Sequence, residues 1–163
     1  LCPLLRNQFF WSPLYLFLVV FMLMNFGRRG LYWILFFLVT FAITDMFSSS
    51  VIKPFVGRLR PCNNPMLADT IRSLVSCGTG KSFTSSHAAN HFGLGVFCFR
   101  TFLFAPMFWR WSFLFWAFAI SYSQIYVGVH FPLDITCGAI LGCLVGAATG
   151  KLFNSRVGLA ALA

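Results

Sequence analysis

Of 163 residues, 59% are Ala, Val, Ile, Leu, Met, Phe, Trp, Tyr or Cys and only 9% are charged, against roughly 25% charged in a soluble globule, so a water-soluble domain is excluded. Phenylalanine alone supplies 22 residues, more than a water-facing surface could hide. Twelve cations face three acids, Asp45, Asp69 and Asp134, giving a net charge of +9; on so apolar a chain that charge suits phosphate in a membrane setting rather than nucleic acid.

In chain order the apolar runs fall at about 8–26, 31–52, 84–105, 111–129 and 132–152, each near the roughly 20 residues that carry a helix across a hydrocarbon core of about 30 Å. Lipid offers the backbone no hydrogen-bond partner, so these runs are expected to be helices. Period-two alternation is absent, which argues against a barrel. The expectation is one all-α membrane domain over 1–163, a polytopic helix bundle with an outer loop at about 53–83. Gly27-Arg28-Arg29-Gly30 reads as a tight basic turn, and the link 106–110 ends in Arg110, close to Arg100; with Lys151 and Arg156 they form the cytoplasmic face. The loop, with Pro54, Pro61, Asn63, Asn64, Pro65 and Gly78, lies opposite, together with the link around His130. Arg6, Lys53, Arg58, Arg60, Arg72 and Lys81 fall on that outer side and match the inner cations in number, so function rather than topology must hold several of them. The chain opens at Leu1, and five spans put its ends on opposite faces. A further upstream helix is therefore expected, a cleaved signal peptide being the weaker alternative.

Cys98, Cys137 and Cys143 fall inside spans and read as small buried hydrophobes. Cys62 and Cys77 share the outer loop. In an oxidising compartment a bridge between them would close a loop of about 15 residues and contribute about 3 kcal/mol; two free thiols are the alternative. There is no Cys-x-x-Cys pair, so a zinc ribbon or redox motif is excluded.

Three polar clusters reach the outer face from separate spans. Lys53 and Arg60 lie where the second span ends, and Pro54 and Pro61 argue against a continuous helix there, so both cations can turn inward. Ser82-Phe83-Thr84-Ser85-Ser86-His87 opens the third span, with Ser and Thr suited to an N-cap and free backbone N–H groups suited to an anion. Pro132 favours a helix start, placing His130 just outside it and Asp134 one turn in, where a carboxylate can orient the imidazole. Singly these are interfacial anchors, caps or structural histidines; jointly they suit phosphoryl chemistry. The cations and helix N–H groups would stabilise charge on the equatorial oxygens, one imidazole would attack phosphorus, and the other would protonate the leaving oxygen. The phosphohistidine so formed would be hydrolysed by water, in a scheme that needs no metal or other cofactor.

Lys53, six residues, then Arg60-Pro61 resembles the first signature of the type-two phosphatidic acid phosphatase superfamily, which includes the vanadium haloperoxidases. Thr84-Ser85-Ser86-His87 resembles its Pro-Ser-Gly-His, and Ser123-Gln124, five residues, His130, three residues, Asp134 resembles its third signature. The resemblance covers about residues 30 to 150. It implies a six-helix membrane bundle, His130 as nucleophile, Asp134 as its orienting partner and His87 as the acid on the leaving group. Lys53, Arg60, Ser85 and the Ser86 backbone N–H would bind phosphate, with Gln124 at the position where the family carries Arg. Thr84 replaces Pro and Ser86 replaces Gly, tolerable where the loop needs no positive φ. Gln124 keeps a donor but loses the charge, so weaker phosphate binding is expected, compensated by Arg58, Arg72 or Lys81.

The reading is thus a multi-pass lipid phosphatase of a bacterial inner membrane, its site facing the periplasm or outside, acting on a phospholipid or isoprenoid-lipid phosphomonoester or pyrophosphate. Lipid phosphotransfer through the same intermediate, and a non-catalytic phospholipid-binding or transport protein, are the alternatives. His91, one turn after His87, could complete a zinc pair but lacks a Glu or Cys companion, so a packed histidine is expected. Asp45 is expected to neutralise a nearby cation, and Tyr126, Trp109 and Trp111 read as interfacial aromatics.

Overall fold

The computed structural model describes residues 2–67, 70–71 and 74–159, and every regular element among them is helical. After a short α1 (Cys2–Leu5) and a 3-10 turn, α2 (Ser12–Asp45) consists of two arms that fold back on each other at Gly27. Gly27 takes φ 49° and ψ −120°, a conformation cheap only for glycine. The returning arm passes so close that a Cβ on Gly30 would lie 1.9 Å from the Met22 carbonyl oxygen. Rings far apart in sequence then meet, Tyr15 on Phe37 at 6.4 Å. The basic turn expected at 27–30 is therefore a hairpin between the first two spans.

The second arm runs further than the sequence suggested. A π-helical stretch, Met46–Ile52, leads into α3 (Lys53–Val56), and Gly57 at φ 64° ends it. Pro54 is tolerated at the second position of α3 because the wider turns before it have already interrupted the i→i−4 ladder that a proline would break. α4 (Ser86–Thr101), α5 (Met107–Tyr126) and α6 (Pro132–Arg156) follow. All five expected spans are thus helical. By length and hydropathy, Phe9–Asn63 and Pro132–Arg156 are, among the described residues, the helical runs individually long and apolar enough to cross a bilayer. α4, at 16 residues, extends only about 24 Å and carries His87, Asn90 and His91. It sits among α2, α5 and α6, where protein rather than lipid meets its polar side chains.

The α4–α6 seam positions the site. Gly138, Gly142, Gly146 and Gly150 recur every four residues on α6, and Cβ atoms on Gly142 and Gly146 would lie 2.3 and 2.2 Å from the carbonyl oxygens of Ala89 and Gly93. Small residues let the backbones touch, as membrane helices require when lipid removes the hydrophobic incentive to associate. Hydrogen bonds tie α2 to the pair: Trp33 Nε1 to Thr101 Oγ1 (2.8 Å), Thr40 Oγ1 to Thr149 Oγ1 (2.8 Å) and Thr44 Oγ1 to Asn90 Oδ1 (2.8 Å). Leu18, Met22, Trp33, Phe97, Phe102 and Phe153 fill the core, while Met24, Phe115 and Leu144 stand more than half-exposed on a lipid-facing girdle. In the outer loop Cys62 and Cys77 form a disulfide with Cα atoms 5.9 Å apart. Of the span cysteines, Cys98 is buried but Cys137 and Cys143 are only partly so.

Candidate active site

Two helix starts meet at the outer end of the seam. Ser85, extended at φ −71° and ψ 113°, is the N-cap of α4 and accepts from Ala88 N, while its own N–H donates to the Asp134 carbonyl in the first turn of α6 at 3.1 Å. The first-turn N–H groups of Ser86 and His87 have no carbonyl a turn earlier to bond, which makes that end suited to an anion. Lys53 arrives from α3 and donates to Ser86 Oγ at 2.7 Å; Ser48 donates to the same oxygen at 3.0 Å.

Val127 N and Val129 N return to the carbonyls of Ser123 and Gln124, closing the end of α5 and delivering His130 just ahead of Pro132. His130 is buried, its Nδ1 lying 3.5 Å from Asp134 Oδ2 and 3.4 Å from Ser82 Oγ, which leaves Nε2 free for chemistry. Asp134 is fully buried and heavily engaged. Its Oδ2 accepts from the Phe131 N–H (2.9 Å) and from Ser82 Oγ, and its Oδ1 pairs with Arg58 Nη1 at 3.0 Å. Burial pushes the His130 imidazole below its ordinary value of 6.5, the hydrogen bond to Asp134 working in the opposite direction. The ring is thereby biased toward its neutral form.

Arg60 is anchored by the loop: its Nε donates to the Gly80 carbonyl at 3.0 Å, and a Cβ on Gly78 would come within 3.4 Å of its Nη1. Lys53, Arg60 and Asp134 all lie close enough to His130 to act on it electrostatically, and His87 feels His130, Lys53 and Arg6. Lys53, Arg60, Ser85, Ser86, His87, His130 and Asp134 are thus gathered on one face. Gln124 stands differently. It is fully buried in the last turn of α5, and among the described residues neither atom of its side-chain amide has a hydrogen-bond partner.

One expectation changes. Arg58 does not stand in for a missing Arg beside phosphate; it pairs with Asp134 and lies over the Phe131 ring at 4.1 Å. Lys81 is exposed, and Arg72 lies outside the described residues, as does Asp69. Asp45 accepts from Asn90 Nδ2 (3.0 Å) and Ser49 Oγ (3.2 Å) and, as expected, lies close enough to a cation, Lys53, to act on its charge. His91 is the packed histidine expected: Nδ1 lies 2.7 Å from the His87 carbonyl and its ring meets Trp116 edge-on at 5.0 Å. Among the described residues no cluster of three His, Cys, Asp or Glu side chains could hold a metal ion.

Sequence reasoning missed the roles of three residues it had named: Ser82 and Arg58 as partners of Asp134, and Arg6 beside His87. Ser82 had a signal in its place at the head of the Ser-rich helix start; Arg58 and Arg6 are brought in by loop and terminal packing that no spacing announces. A cavity of about 510 Å³ opens beside His87, with Arg6, Asp45, Asn90 and His91 at its polar end and Leu18, Phe37 and Leu94 along its walls.

The lipid A 4'-phosphatase of Bacteroides thetaiotaomicron is 38% identical over 139 residues, which cover 81% of this chain and 59% of the relative. That of Porphyromonas gingivalis is 35% identical, covering 71% and 49%. The undecaprenyl-diphosphatase of Sulfolobus acidocaldarius is 29% identical, covering 83% and 60%. The chain spans about half to three-fifths of the length of these relatives. No solved structure matches significantly. The family model described as PAP2 superfamily matches residues 31–157, most of the chain and all three signatures, and the chain belongs to that superfamily.

Proposed function

We propose that the chain is a lipid phosphatase that removes a phosphoryl group from a lipid-linked phosphomonoester or diphosphate through a phosphohistidine on His130, at the outer surface of the membrane. The observation that carries this reading is the buried His130–Asp134–Ser82 arrangement, which fixes Nδ1 and presents Nε2 beside the cations of an anion cradle. Nε2 attacks phosphorus as the P–O bond to the lipid breaks, and His87 gives its proton to the departing oxygen. His87 then takes a proton from water, whose oxygen attacks phosphorus; the P–N bond breaks and inorganic phosphate leaves. Lys53, Arg60, the Ser85 hydroxyl, the Ser86 N–H and the Gln124 amide hold the non-bridging oxygens, where fixed donors stabilise developing charge.

The names of the relatives support both substrate classes, a phosphorylated glycolipid and a polyprenyl diphosphate. The test is phosphate release from both lipids in detergent micelles, with and without chelator. Wild type should release phosphate, and His130→Ala and His87→Ala should each lose at least about 10³-fold while staying folded. Retained turnover in the His130 variant would sink the covalent mechanism, and no release by wild type from any lipid would favour a binding or transport protein.

A further inference from the structure

The first residues of the chain reach the side of the site from which the lipid would depart. Trp11 Nε1 donates to the Leu5 carbonyl at 2.7 Å, and α1 packs against α5, so the turn that carries Arg6 is fixed. Arg6 and His87 together line both the 510 Å³ cavity and a second one of about 370 Å³. The Arg6 side chain is partly buried, and among the described residues its guanidinium has no hydrogen-bond or ion-pair partner. Its charge acts on His87 and on Arg60.

A guanidinium offers five donors and no acceptor, so gathering it with Arg60 and Lys53 costs free energy unless anions bring the cations together. One phosphoryl group accounts for Lys53, Arg60 and the α4 N-terminus. Arg6 lies beyond them, next to the proposed acid on the leaving group. We propose that Arg6 is the cation of a second anionic subsite, which takes a second phosphoryl group on the lipid side of the bond being broken. The inference rests on the phosphatase reading for the meaning of that side.

Two lipids carry this chemistry. In a polyprenyl diphosphate the leaving group is itself a phosphate: the His130 N–P bond forms, the bridging P–O bond breaks, and its electron pair stays on the lipid monophosphate, whose charge Arg6 offsets by a forked contact. In a glycolipid with two separate phosphates, the remote one docks on Arg6 while the other reacts.

The experiment compares, in mixed micelles, polyprenyl diphosphate with polyprenyl monophosphate, and a bisphosphorylated disaccharide lipid with its singly phosphorylated form. It uses wild type, Arg6→Gln and Arg6→Lys. The doubly-to-singly phosphorylated ratio of kcat/KM should fall at least about tenfold in Arg6→Gln for one of the two pairs, which names the source, and Arg6→Lys should recover part of it. Equal losses on both members of each pair would mark a structural role and overturn the proposal, as would unchanged ratios. Dissociation constants for the same lipids, measured on His130→Ala with and without Arg6→Gln, give the same ratio without turnover. Failure of wild type to cleave any lipid would therefore count against the phosphatase reading alone, and the binding ratios would still decide the subsite.

Discussion

Asp134 receives a serine hydroxyl, a backbone N–H, an arginine and an imidazole, so its side chain is a fixed anion that orients and loads His130. Because its hydrogen bond raises the affinity of His130 for a proton while burial lowers it, the two effects separate in a pH profile. Attack requires the neutral ring, so the rate should fall as pH drops through a value below 6.5. Asp134→Asn removes the raising influence: the acid limb of kcat/KM should move to lower pH while the plateau drops about 10²- to 10⁴-fold, as loss of an orienting carboxylate does elsewhere. An acid limb moving upward would contradict this assignment. For Gln124, an amide without a protein partner is a donor suited to a phosphoryl oxygen. Charged hydrogen bonds contribute about 1.5 to 3 kcal/mol against about 1 for neutral ones, so Gln124→Arg should lower KM by up to roughly tenfold or leave it unchanged. A tenfold rise would place the side chain elsewhere. At this scale the spacing of Lys53 and Arg60, and of His130 and Asp134, made the main groups legible. Arg58 and Ser82 were not, because their partners lie 76 and 52 residues away and are met only through the folded loop.

At the scale of elements, the glycine seam fixes how far apart the two halves of the site stand. The Ser85 N–H to Asp134 carbonyl bond joins the start of α4 to that of α6, and the register behind it is set by Gly142 and Gly146 against Ala89 and Gly93. Gly146→Ala must displace a backbone carbonyl that its Cβ would meet at 2.2 Å. We expect about 1 to 3 kcal/mol of destabilisation, read as a lower thermal midpoint, and a loss of kcat although no reacting group is altered. An unchanged midpoint with full activity would show the seam to be slack. The four-residue glycine repeat is written in the sequence, but hydropathy treats glycine as neutral and does not mark it. The continuation of helix through Pro54 was not legible, because a π-helical stretch has no reliable residue signature.

For the whole molecule, hydropathy alone gave the five helical runs, since lipid imposes helix on any long apolar stretch. It did not give sidedness, where the cations balance. Nor could it show that Leu38 and Phe41, both exposed, line the 510 Å³ cavity beside His87, the side on which a lipid chain would enter under the phosphatase reading. Leu38→Trp should therefore raise KM for a long-chain lipid substrate by about fivefold or more and leave a short-chain, water-soluble analogue within about twofold. Equal effects on both would mean that chains do not enter there.

The Cys62–Cys77 bridge ties the loop that carries Arg60 to segment 77–80, where the Gly80 carbonyl accepts from Arg60 and the Gly78 carbonyl from Asn63. In a reducing compartment the bridge cannot persist. A reduced molecule would keep its helices and its histidines yet hold Arg60 slackly, so the redox state of the loop bears on the phosphate cradle of the proposed site.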